Sequence, residues 1–275
     1  MIGFMQGRLS SPTSEKIQEF PWDTWEAEFQ LAKTINIQLI EWTLDLRALY
    51  ENPFMTSNGQ IRALRLSKEN NVEVTSVTLD CFLDGPLHRC HPKSGSQSEM
   101  KDLIAVAESA NKFGVELGVL PLVAESGADN HESLLALFAA LSEIEQKCND
   151  LNFHIALECE FELDMLHWIS KEIEHFTHVG FNFDIGNSAS LGNDPVQELA
   201  IYGDKLLNVH IKDRKLGGKT VPLGQGNADF HSISKELTEL NYNGNMILQA
   251  ARGEPGRELE TISNYLNFCE LYGWR

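Results

Sequence analysis

The sequence predicts a (β/α)8 barrel, and three observations carry that expectation. Short apolar runs of strand length alternate with longer amphipathic stretches along the whole chain, as parallel strands joined by crossover helices require. The 275 residues are close to the roughly 250 of one such barrel, although the same length could hold two smaller domains. Three apolar runs also deliver a metal-capable side chain: HIALECE carries Glu158, GFNFDIGN carries Asp184 and KLLNVHIKDR carries His210. The step from Glu158 to Asp184 is 26 residues, and so is the step from Asp184 to His210. A strand–helix–strand unit takes roughly 30 residues, so three consecutive units would aim these groups at one rim. The whole of residues 1–275 is expected to form one domain.

Taken in order, Met1–Met5 reads as a first strand that exits through Gln6, Gly7 and Arg8. Pro21 and Trp22 precede Asp23, a natural N-cap for the helix WEAEFQLAKTI. Ile37–Trp42 is the second strand, with Glu41 near its end, and a helix over 59–70 follows. Val72–Phe82 is the third strand, ending in Asp80 and Cys81, and Asp84–Gln97 is a loop over the rim. Ser98–Phe113 has helical periodicity and stops at Gly114. Val115–Val123 is the fourth strand, with Glu125 just beyond it, and His131–Cys148 is the clearest helix. The fifth strand ends at Glu158, a helix spans Leu163–Phe176, the sixth strand ends at Asp184, and Pro195–Tyr202 is a short helix. The seventh strand, Leu206–His210, runs nearly apolar into Lys212, Asp213 and Arg214, as suits a strand buried on both faces. A loop with Gly217, Gly218, Gly224 and Gly226 leads to a helix over Asp229–Leu240 and a turn at Asn241–Gly244. Asn245–Ala250 is the eighth strand, placing Gln249 at its end, and Arg257–Tyr272 is the last helix.

Composition excludes several functions. A net charge of −18 opposes a nucleic-acid partner, whose affinity rests on Lys and Arg neutralising phosphates. Five cysteines, an odd number without CxxC spacing, favour free thiols in a reducing cytoplasm over a disulfide framework. No basic leader with an apolar core opens the chain, and no run approaches ~18 apolar residues, so neither a signal peptide nor a membrane span is expected.

The pieces IGFMQGRLS, IEW (40–42), ALE (156–158), FDIGN (183–187), NVHIKD (208–213), GQGNADF (224–230) and MILQA together resemble the xylose-isomerase-like barrels. That is the sugar-phosphate isomerase/epimerase group related to AP endonucleases of the endonuclease IV type. The resemblance implies a divalent ion, Mn²⁺, Mg²⁺, Co²⁺ or Zn²⁺, held by residues from the fifth to eighth strands. By position these are Glu158, Asp184, His210 and Gln249. The last departs from the pattern, which has Glu there. An amide oxygen can ligate a hard cation but carries no charge and takes up no proton. Epimerases of this group resemble two-base machines, so Gln249 would leave Glu158 as the only base among the ligands. Glu254, Asp213 or Glu125 could substitute.

The expected substrate is therefore a small sugar or sugar phosphate, converted through an enediolate with Glu158 as the base. Lys212 and Arg214 would hold an anionic group or polarise an oxygen, and Arg8 would line the pocket floor. Trp42, Phe82 and Phe230 would wall the sugar. Bland readings stand beside these. Glu158 could be a buried partner of Lys212, Asp184 a turn cap, His210 a core histidine, and Asp213 with Arg214 a local ion pair. His88 and His91 read as surface residues, and Gly224 with Gly226 as a weak phosphate cradle. A metal-assisted dehydratase needs the same single base, and a sugar-binding barrel without turnover is also compatible with Gln249. A DNA-repair nuclease would need a histidine at position 187, where this chain has Asn. Homodimerisation is possible.

Overall fold

A computed structural model describes residues 1–12, 18–89, 98–123 and 130–275. Eight parallel strands close into a barrel in the order of the chain. They are β1 (Ile2–Met5), β2 (Leu39–Thr43), β3 (Glu73–Thr78), β4 (Leu117–Leu122), β5 (His154–Cys159), β6 (Val179–Asp184), β7 (Leu206–Ile211) and β10 (Met246–Leu248). β10 pairs with both β7 and β1, which completes the ring. The outer layer comprises α1 (Trp25–Thr34), α2 (Ser57–Asn70), α4 (Ser98–Phe113), α5 (His131–Leu151), α6 (Leu163–Glu172), α8 (Pro195–Tyr202), α9 (Phe230–Glu239) and α10 (Glu258–Glu270). No described helix is long and apolar enough to cross a membrane.

Local chemistry sets the helix starts. Asn130 and Ser133 form a reciprocal capping box at α5, Asp194 caps α8 ahead of Pro195, and Asp229 caps α9. At α1 the cap position is Thr24 rather than Asp23, because Thr24 and Trp25 both donate backbone N–H groups to Pro21 O.

Three features depart from the sequence reading. β3 stops at Thr78 and turns into a single helical turn, α3 (Cys81–Asp84), which leaves Asp80 on the rim. A short helix, α7 (Ile185–Leu191), follows β6 directly; Asp184 caps it and Gly192, at φ 73°, ends it. The glycine loop after β7 contains an antiparallel pair, β8 (Asp213–Arg214) and β9 (Thr220–Val221).

The lumen is layered, as alternation along parallel strands requires. Asn182 and Asn208 are register partners on β6 and β7, and Asp184 and His210, themselves partners, follow two residues further along. Asn208 Nδ2 donates to Asn182 Oδ1 at 2.9 Å, so the lower level is polar and cross-linked.

Candidate functional site

β5, β6 and β7 bring Glu158, Asp184 and His210 together. One ligand atom from each lies within 4.8 Å of the others, and all three residues are buried. His210 Nδ1 faces Glu158 Oε2 at 3.3 Å but forms no aligned hydrogen bond. An imidazole nitrogen and a carboxylate oxygen thus share a small buried space, and each offers a lone pair once the Nδ1 proton has left. That donor set fits a divalent cation.

Asp184 divides its two oxygens between structure and site. Oδ1 accepts Asn187 N–H at 2.9 Å and so caps α7, while Oδ2 faces Lys212 Nζ at 3.1 Å. The turn-cap reading thus holds for Oδ1, while Oδ2 stays on the side of the cluster. The Lys212 ammonium also donates to Gln249 Oε1 at 3.1 Å. Gly186 permits this reach, because a Cβ there would stand 2.6 Å from Lys212 Cγ. Gln249 therefore meets Lys212, and the amide oxygen counted as a fourth metal ligand serves the ammonium here. Burial raises the proton affinity of Glu158, although His210 opposes it. Burial acts the same way on Asp184, but Lys212 and His210 outweigh it and hold that carboxyl below its usual range.

Glu41 was expected near a strand end, without a role. It is fully buried in the lumen, where Oε1 lies 2.8 Å from His210 Nε2. Its Oε2 accepts from Ser76 Oγ at 2.7 Å and Asn208 Nδ2 at 3.1 Å. With Oε2 occupied by two donors, Oε1 is the acceptor for Nε2–H, and Nδ1 is turned towards Glu158. A carboxylate so placed would fix the tautomer and ring orientation of a histidine that ligates a cation. Burial would lower the His210 pKa, but Glu41 and Glu158 outweigh it and push it up to about 10. One signal for this layer was present: Asn182 and Asn208 are also 26 residues apart, two positions before Asp184 and His210 on the same faces.

Other expected residues fall elsewhere. Trp42 has no exposed surface; its indole donates to Asn52 Oδ1 and packs among Phe20, Trp25, Phe54 and Phe113. It belongs to the layer between strands and helices and cannot wall a substrate. Phe82 is buried too, and Phe230 packs with Phe268, Tyr272 and Trp274 under the last helix. Asp213 is no base, since backbone N–H groups of Gly224, Gly226 and Ala228 all donate to it. The glycine cradle thus encloses an internal carboxylate instead of a phosphate. A Cβ at Gly226 would come 1.9 Å from Asp213 Oδ1, which makes glycine necessary there.

Asp213 does not pair with Arg214, which bridges Glu160 at 2.6 Å and Asn187 Oδ1 at 2.8 Å on the rim beside Glu158. Asn187 Nδ2 in turn donates to Glu158 Oε1 at 3.3 Å. Glu254 is exposed beyond β10. Glu125 and His91 lie outside the described residues.

Arg8 is buried beyond β1. Burial, then the neighbouring Arg252, lowers its pKa to about 9, while Asp80 and Glu28 favour its charge. Arg252 donates to Gly7 O at 2.7 Å and Ser10 O at 3.1 Å. From α1, Glu28 accepts the Gly7 and Leu9 backbone N–H groups at 3.0 Å, and burial pushes its carboxyl up to about 7.

Comparison with known proteins agrees with this fold. L-ribulose-5-phosphate 3-epimerase UlaE of Escherichia coli O1:K1 is 22% identical over 245 residues, covering 82% of each chain. D-psicose 3-epimerase from Clostridium cellulolyticum H10, solved with D-tagatose, superposes with a TM-score of 0.74 over 100% of this chain and 99% of its own, at 13% identity. The IolI protein, solved with a zinc atom, gives the same TM-score at 14% identity over 99% of this chain and 98% of its own. The family model described as the xylose isomerase-like TIM barrel matches residues 29–266, and the chain belongs to that family.

Proposed function

We propose that the protein is a divalent-metal-dependent epimerase or isomerase of a small ketose or ketose phosphate, acting through an enediolate. The observation that carries this reading is the convergence of Glu158, Asp184 and His210 within 4.8 Å at the strand ends. The sugar epimerases among its relatives and the zinc in a protein of the same fold support it. A cation such as Mn²⁺, Mg²⁺, Co²⁺ or Zn²⁺ would be held by those three residues and would supply Lewis acidity toward the substrate's carbonyl and neighbouring hydroxyl oxygens.

The chain's own groups do the rest. Glu158 takes the proton from the carbon beside the carbonyl, a task suited to a carboxylate whose proton affinity burial has raised. Asn187 and, through it, Arg214 fix the Glu158 carboxylate. Lys212 sets a positive charge beside the cluster to favour an anionic substrate oxygen. Arg8 beyond β1 and Arg214 beyond β7 are the cations we assign to an anionic group such as a phosphate.

Gln249 favours a second reading. With its amide accepting from Lys212, proton transfer stays on Glu158, which would limit the enzyme to aldose–ketose isomerisation or dehydration. One experiment tests the enzyme against a barrel that only binds its sugar. The metal-loaded protein is incubated in D₂O with L-ribulose 5-phosphate, D-psicose, D-tagatose and D-fructose. Deuterium at the carbon next to the carbonyl is expected. No incorporation with any of the four cations would overturn the reading.

A further inference from the structure

We propose that Asp80 is a second acid–base residue, working from the side of the barrel opposite the cation ligands in place of the glutamate that Gln249 replaces. This rests on the function proposed above and specifies it as an epimerase.

Other groups near the rim are excluded as the second base. Gln249 neither takes nor gives a proton, Asp213 is saturated by three backbone donors, and Glu254 is exposed beyond β10. Asp80 lies two residues past the last residue of β3, on the rim where barrel chemistry is built. It precedes α3 but makes no side-chain cap to it. Its Oδ1 accepts Thr78 Oγ1–H at 2.7 Å. Among the described residues Oδ2 receives no hydrogen bond. The residue keeps a partly exposed surface, although burial is the leading influence on its carboxyl.

Position relative to the base gives the second half. In the barrel order β3 and β5 are separated by β4 alone, and β3 lies across the lumen from β7. A ketose seated over Glu158, Asp184 and His210 therefore turns its other face towards the β1–β3 rim. Asp80 is within electrostatic reach of Glu158 and Glu41 on the lumen side, of Asp45 on its own rim, and of Arg8. Burial first, and then these carboxylates, push its pKa up to about 7, so it can hold a proton and also release one.

Glu158 takes the proton from one face of the carbon beside the carbonyl, and the electron pair of that C–H bond moves into the enediolate. Asp80, protonated, delivers its proton to the opposite face of the same carbon, and the pair returns to form the new C–H bond. The product is the epimer, with Glu158 protonated and Asp80 ionised. Exchange of both with water restores the starting state, and the reverse reaction exchanges the roles. No oxidant or co-reactant is needed.

The test compares wild type, Asp80→Asn and Asp80→Glu, each loaded with Mn²⁺, in D₂O with both members of an epimer pair that the wild type interconverts, starting from D-tagatose with D-sorbose and D-fructose with D-psicose. Asp80→Asn is expected to form epimer at least ~100-fold more slowly. It should still exchange deuterium within about threefold of wild type into the member whose proton faces Glu158, and lose exchange into the other. Asp80→Glu should recover part of the epimerisation. A purely structural role would slow exchange into both members alike, and that result overturns the assignment, as does unchanged epimerisation by Asp80→Asn. Wild type that exchanges deuterium without epimerising any ketose, including L-ribulose 5-phosphate, also overturns it but leaves the single-base reading intact. Wild type that exchanges none overturns both.

Discussion

The two halves of the barrel rim use similar sequence signals for different ends. On β5–β7 the ionisable residues near the ends of the apolar strands converge in the lumen, and His210 Nδ1 faces Glu158 Oε2 without an aligned hydrogen bond. Around β1 and β2, and in the loop after β7, comparable polar groups are consumed by the fold. Glu28 is filled by the Gly7 and Leu9 backbone, Asp213 by three loop amides, and Glu41 by Ser76, Asn208 and His210. A carboxylate after an apolar strand is thus only half a signal. Whether neighbouring donors saturate it decides whether it is a brace or a reagent.

The largest effect should come from breaking this contrast on the reagent side. Glu158→Gln is expected to lower turnover and deuterium exchange by at least ~10³-fold. Its thermal stability should match or exceed wild type, because a buried carboxylate has been removed from beside Asp184. Stability lost in proportion to activity would place Glu158 among the braces.

Next in size is the opposite case, Glu28→Gln. Glu28 sits fully buried on α1, and its carboxyl is raised from 4.5 to about 7. A raised carboxyl pKa gives stability that is complete below about 4.5 and is lost as pH rises through about 7. At about 1.4 kcal/mol per unit this is a difference of about 3 kcal/mol. The variant lacks that limb, so its stability relative to wild type should rise between pH 4.5 and 7 in urea titrations. Asp80 titrates in the same range but is common to both proteins. Parallel pH profiles would show that Glu28 is not the buried charge described.

How much of this was legible follows from the same contrast. The eight strands, their order and the shared direction of Glu158, Asp184 and His210 could be read because alternation and spacing are properties of the chain alone. Trp42 could not be assigned, because a strand in a barrel has two faces and an aromatic suits either. Its register places Glu41 inward and Trp42 against Phe54 and Phe113. The saturation of Asp213 was hidden because its donors come from residues 11 to 15 positions later, in a loop whose path depends on the β8–β9 pair. Glu41 escaped because its partner, His210, is 169 residues away across the lumen.

Glu41 sharpens the comparison further, since it is a brace that acts on a reagent. Glu41→Gln keeps the side chain's shape but replaces one carboxylate oxygen with a donor. It can no longer serve Nε2–H, Ser76 and Asn208 together. Calorimetric Mn²⁺ affinity should fall by about 10- to 100-fold, with an unchanged far-ultraviolet circular dichroism spectrum. Unchanged affinity would mean that His210 orients itself.

The smallest effect is expected at Gln249, where the two halves of the rim meet through β10. Gln249→Glu adds a negative charge beside Lys212 and the cation ligands. Mn²⁺ affinity should rise by about tenfold, less than a bare charge would give, because Lys212, already 3.1 Å from Oε1, will neutralise part of it. The same substitution places a base on β10, so epimerisation should become less dependent on Asp80. The double variant Gln249→Glu with Asp80→Asn is therefore expected to epimerise faster than Asp80→Asn alone. Equal rates would mean that the β10 position cannot reach the substrate's second face, and that the chain loses nothing chemically by carrying an amide there.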